Sequence, residues 1–181
     1  MRQWLLAGLL AWGALAGAAE PGQRVEHVRG EFSFFTGPAP DYVLPRQVPE
    51  RWPAANPSDP WRNWLVDHQD DLRAGRHATY AHLAYQPVAN ETVGEAARFS
   101  VDFSPDFQRL VLHHVRVRRD GRWSDRLDPA KVSLARREAR FEDNLADGSV
   151  TALLVLEDVQ AADVVSVSYT VEGSNPVMAG S

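Results

Sequence analysis

The chain has 181 residues, with 19 basic and 24 acidic side chains, a formal net charge of −5 and no cysteine. The acidic balance disfavours nucleic acid and anionic membrane as general partners. The missing thiol excludes disulfides, a thiolate nucleophile, thiolate zinc sites and a lipid-bearing cysteine.

The first residues read as an address. Met1–Gln3 is a short positive start, Trp4–Gly17 is apolar, and Ala16–Ala19 offers small residues for cleavage, so residues 1–19 are predicted to be a secretory signal peptide. The apolar run is shorter than the roughly 20 residues a spanning helix needs. No later segment is long and apolar enough to span, so the expected product is exported, in the periplasm, with residues 20–181 as one domain.

A short strand is predicted over about Glu31–Thr36, with Phe32, Phe34 and Phe35 inward. Seven of the twelve prolines then fall between Pro38 and Pro60. Proline lacks the N–H that ladders and helices use, so this stretch should be an extended arm. Tyr42, Leu44, Trp52, Trp61 and Trp64 are interleaved with it and would pin it by burial. Over Trp61–Arg73 the pattern suggests one short helix, with Asp59 as cap, Pro60 at its first position and Leu65 and Leu72 on one face.

From residue 76 the period becomes two. Ala97, Phe99, Val101 and Phe103 share one face; Val111, Val115 and Val117 share another, with Arg116 and Arg118 opposite. Val165, Val167, Tyr169 and Val171 alternate with a polar face of Ser166, Ser168, Thr170 and Glu172 that should be wet. Thr151–Leu156 is apolar throughout, as for a central strand. Asp120-Gly121 and Asp147-Gly148 are hairpin signals, and Leu134–Leu145 reads as a strand before the second of them. The expected fold is all-β, an antiparallel β-sandwich of about eight strands in residues 76–181, preceded by the strand, proline-rich arm and helix of residues 20–75.

Little chemistry converges on paper. Adjacent strand residues point to opposite faces, so His113 and His114 cannot share a metal without a bulge, and His113 is expected to be a buried imidazole bonded to backbone. A metal-dependent enzyme resting on His82, His113 and acidic neighbours is the least favoured reading. Ser166 and Ser168 lie on a regular strand with no glycine-framed elbow and no histidine nearby in sequence, which disfavours a nucleophile. Arg116, Arg118, Arg119 and Arg122 form a basic strip interspersed with aspartates. Trp61, Trp64, Trp123, Arg116 and Arg118 are therefore the candidate binding surface, with no catalytic residue, cofactor or metal assigned.

Several stretches in sequence order carry a resemblance: Pro40–Val43, Asp67–Asp70, Leu112–Arg122, Asp125–Asp128, Arg136–Glu138, Thr151–Asp158, Ala162–Val165 and Tyr169–Pro176. Together, over roughly Pro38–Gly180, they resemble the domain of unknown function found just before transglutaminase-like core domains in bacterial envelope proteins. The resemblance implies a non-catalytic accessory domain whose partner is a transglutaminase-like catalytic domain or another envelope protein. A free-standing envelope module binding a polypeptide or glycan is the alternative. Two departures stand out. Ala162 sits where the family usually has glycine, so that turn should be looser or use negative φ. The family's catalytic set belongs to a core that would follow Asn175-Pro176, so none of it carries over, and a stand-alone or truncated version is expected.

Overall fold

The computed structural model describes residues 22–51, 59–73, 77–136 and 148–173. The predicted signal peptide, Trp52, Arg137, Glu138, Asp147 and Asn175-Pro176 lie outside the described residues. None of the described helices is long and apolar enough to cross a membrane.

Among the described residues ten strands form two packed sheets, so the all-β expectation holds. They are β1 (Val25–Arg29), β2 (Phe32–Thr36), β3 (Trp61–Asp71), β4 (Ala78–Pro87) and β5 (Arg98–Phe103), then β6 (Arg109–Arg119), β7 (Arg122–Asp125), β8 (Ser133–Arg136), β9 (Val150–Val155) and β10 (Val164–Glu172). The larger sheet runs β1-β2-β6-β10-β4-β3 with β7 also beside β6; the smaller runs β5-β9-β8. A four-residue helix, α1 (Val93–Ala96), links β4 to β5.

Inward residues of both sheets build one core. Phe34, Leu110, Leu112, Val115, Val117, Val165 and Val167 meet Phe99, Val101, Phe103, Val150, Ala152 and Leu154. Burying each large side chain among them is worth about 1.5–3 kcal/mol, and this interface holds the sheets together in a chain that has no cysteine. The predicted hairpin at Asp120-Gly121 is present, with both residues at positive φ (50° and 77°), as a tight two-residue turn between β6 and β7 demands.

Four expectations are corrected. The antiparallel pattern breaks at one pair, because β2 runs parallel to β6 through Phe35–Val111 and Thr36–Leu112. The arm and β3 to β5 separate these strands in the chain and supply the long crossover a parallel pair requires. Trp61–Asp71 is a strand, not a helix. Pro60 ends the arm by accepting the Val88 N–H at 2.8 Å, and a bulge at Trp64, between the pairs Asn63–Tyr85 and Leu65–Ala84, hides the alternation that would have revealed β3. β9 is central in its sheet but buried on one face only, with Val155 49% exposed. Finally, the polar face of β10 is not wet: Ser166, Ser168 and Thr170 are buried.

The arm is what buries them. Residues 38–51 form no strand or helix and cross the outer face of the larger sheet. Leu44 pins the arm by its backbone and not by the expected burial, its side chain being 67% exposed: Gln69 accepts its N–H at 2.8 Å and donates to its carbonyl at 2.8 Å. Farther along, the Pro49 carbonyl accepts Arg118 Nη1 at 2.9 Å.

Candidate functional site beneath the arm

On β6 the pairing slips, with Ser168 facing His114 and Tyr169 facing Leu112, which leaves His113 as an extra residue. This bulge turns both adjacent imidazoles to the arm side of the sheet. His113 donates from Nδ1 to the Gly37 carbonyl at 2.9 Å, since a carbonyl can only accept. In the neutral ring Nε2 then accepts from the Thr170 hydroxyl at 2.7 Å. The expectation of a buried, backbone-bonded imidazole at 113 is met, although Val111 and Val115 lie on opposite faces.

His114 belongs to a second network. Its Nε2 lies 3.1 Å from Ser166 Oγ and its Nδ1 lies 2.7 Å from Ser168 Oγ. His82 on β4 brings its Nε2 to 3.0 Å from the same Ser166 Oγ, and the two rings meet edge to face at 5.0 Å. A serine has one proton, so Ser166 donates to one imidazole and accepts from the other. Four side chains that sequence reading left scattered thus converge. Burial lowers His114 from 6.5 to about 4, helped by His82, Arg116 and His113 and opposed by Asp125. It also lowers His82, against the opposing pull of Asp67 and of a backbone hydrogen bond to Arg46. Both rings are neutral at pH 7. His82 therefore meets His114 rather than His113, and no group of three His, Asp or Glu side chains suited to a metal occurs among the described residues.

This network floors a cleft of about 670 Å³ roofed by arm residues 46–51. Its walls carry Arg46, Arg51, Arg116 and Arg118 against one carboxylate, Glu50. Arg118 lies over the rings of Trp64, at 4.5 Å, and Trp123, at 5.0 Å, and burial lowers its pKa. Arg116 is paired with Asp125 at 2.7 Å, but both partners are exposed and such a pair is weak. A larger cavity of about 870 Å³ opens at the other end of the arm. Its arginines are already committed, Arg24 to Glu172 at 2.7 Å and Arg73 to Asp71 at 2.7 Å.

The predicted surface therefore divides. Trp64, Trp123, Arg116 and Arg118 come together, whereas Trp61 stacks on Tyr85 at 5.0 Å against the core side. Arg119 turns away to Asp163, and Arg46, Arg51, His82, His114 and Ser166 were missed. The two arm arginines had a signal of a kind, as charges among prolines and aromatics. The bulge that assembles the floor had none.

Fold and site together define a two-sheet β-sandwich domain whose larger sheet carries an arginine-lined cleft under a proline-rich strap. The chain belongs to DUF3857, a domain family of unknown function with solved structures, whose model matches residues 73–181. A crystal structure of a provisionally named protease from Parabacteroides distasonis is similar, with a TM-score of 0.55 and 15% identity over 64% of this chain. The match spans 23% of that protein, so it shows the fold alone. No curated protein matches the sequence.

Proposed function

We propose that this chain is a non-catalytic binding domain of the bacterial cell envelope, exported to the periplasm, that serves a transglutaminase-like catalytic domain. The observation that carries the reading is the position of the polar network. Ser166 sits on β10 between β6 and β4, and its strand is laddered on both sides. No pair of free backbone N–H groups flanks it to hold an oxyanion, the largest element of acyl-transfer catalysis. The serines and histidines instead satisfy one another beneath a cleft whose Arg46, Arg51 and Arg118 make no ion pair among the described residues. Such an arrangement recognises better than it reacts. The small share of the longer neighbouring protein that the fold accounts for also fits a domain working beside others.

The test is calorimetry of the purified chain with a separately produced transglutaminase-like core from a longer chain carrying this family domain. Saturable heat and no substrate turnover by the chain alone are expected. No complex with any such core, or turnover without it, sinks the reading. A second reading, an envelope module acting without a catalytic partner, is favoured by Trp123, which is 40% exposed beside Arg118 in an open cleft.

A further inference from the structure

We propose that the cleft beneath the arm binds an anionic polysaccharide, with its acidic groups on Arg46, Arg51, Arg116 and Arg118 and a sugar ring laid on Trp123. The inference rests on the reading of the chain as a binding domain and names the ligand class of that site. Four guanidinium groups line the cleft with Glu50, and among the described residues only Arg116 of the four is ion-paired, to the exposed Asp125, in a chain whose formal net charge is −5. The concentration of positive charge is local and runs against the molecule as a whole.

Arg118 is the centre of it. The residue is only 9% exposed and makes no ion pair among the described residues, although the Glu50 carboxylate acts on its charge from within the cleft. Trp64, Trp123 and the Pro49 carbonyl offset part of the cost of burying that charge, but none supplies a counter-charge. One of its five N–H donors is spent on Pro49, which leaves the fork for a bidentate oxyanion. Arg46 and Arg51 on the arm carry no carboxylate partner either among the described residues, so the roof and wall of the cleft present cations from two directions.

The floor adds no charge to the cleft. His82, His114 and Ser166 are neutral and already bonded to one another, and the Trp123 ring, 40% exposed, offers a flat apolar platform for the C–H face of a sugar. An acidic peptide fits less well. The floor of the cleft lies on β4, β10 and β6, each with a neighbour on both sides, which leaves strand addition only the four-residue edge of β7.

The test titrates the intact chain with alginate oligosaccharides (carboxylate) and heparin-derived oligosaccharides (sulfate), with neutral maltooligosaccharides and oligoglutamate alongside, at low and physiological salt. Saturable, salt-sensitive binding of at least one acidic glycan is expected, with none of the neutral sugar. Arg118→Gln should weaken it about tenfold or more, as for loss of a charged hydrogen bond. Trp123→Ala and the double variant Arg46→Gln/Arg51→Gln should also weaken it; the exposed arm pair keeps the test decisive should Arg118→Gln fail to fold. No saturable binding of either acidic glycan overturns the proposal. Unchanged affinity in both the arm pair and Trp123→Ala does so too. Tight oligoglutamate binding indifferent to Trp123→Ala assigns the cleft to acidic peptides and equally overturns it. A catalytic-core complex that survives when glycan binding is absent shows the ligand class to be wrong while the accessory reading stands.

Discussion

His114 shows how one buried side chain ties the site to the stability of the domain. Its partners are two hydroxyls, and burial with His82, Arg116 and His113 lowers it from 6.5 to about 4, with Asp125 opposing. The unfolded chain therefore binds this proton more tightly than the folded one. Its contribution to stability is complete above pH 6.5 and is lost as pH falls from there towards 4, by an amount on the order of 3 kcal/mol. His82 and His113 are lowered as well and act in the same sense. The urea midpoint should drop between pH 7 and 4.5, and His114→Gln, which can still bond to the serines, should make the slope shallower. An unchanged slope in that variant would show that the proton goes elsewhere. Asp163 behaves oppositely. Burial raises it, but Arg119, at 2.7 and 2.8 Å, and the Gln160 N–H outweigh that and hold it below its ordinary value, so it stays ionised over the same range.

The turn from β9 to β10 carries visible backbone strain at the scale of an element. Asp158 and Ala162 adopt φ of 60° and 71°, a region in which a β-carbon is crowded, so Ala162 keeps the positive φ of the glycine it replaces and not the negative φ expected from the sequence. Ala162 is held there by its N–H to the Pro87 carbonyl and by Gln86, which donates to its carbonyl, each at 2.7 Å. Ala162→Gly should therefore stabilise the protein by about 0.5–1 kcal/mol, the relief of strain exceeding the added freedom of the unfolded chain. The expected readout is a higher urea midpoint at unchanged m-value; a lower midpoint would mean that the turn is unstrained. Elements with unbroken alternation were legible in the sequence: β5, β10 and the Asp120-Gly121 hairpin all stand where the pattern put them. β3 was not, because the bulge at Trp64 broke its period and Asp59-Pro60 imitated a helix start. The bulge at His113 likewise concealed that two neighbouring imidazoles share a face, and with it the floor of the cleft. Two-residue periodicity reports faces only while the ladder is regular. Contacts supplied by the arm, such as Pro49 to Arg118, have no periodicity to report at all.

The family match begins at residue 73, but the sheet does not. β1, β2 and β3 belong to the same seven-stranded sheet as β4, β6 and β10, and Phe34 of β2 is fully buried in the shared core. The arm that covers Tyr80, His82, Ser166, Ser168 and Thr170 also lies upstream of the matched region. A chain cut to residues 73–181 would leave the β4 edge unpaired, empty the Phe34 position and expose the buried serine and histidine face to water. Deleting one large core aromatic alone costs about 3–5 kcal/mol, a large part of the 5–15 kcal/mol that holds a domain together. We expect that fragment to give no cooperative urea transition by near-ultraviolet circular dichroism, whereas the chain from residue 22 onward gives a single transition coincident with its far-ultraviolet signal. A fragment unfolding cooperatively at a comparable midpoint would show that the sandwich stands without its first three strands, and that the strap is an addition to the fold rather than part of it.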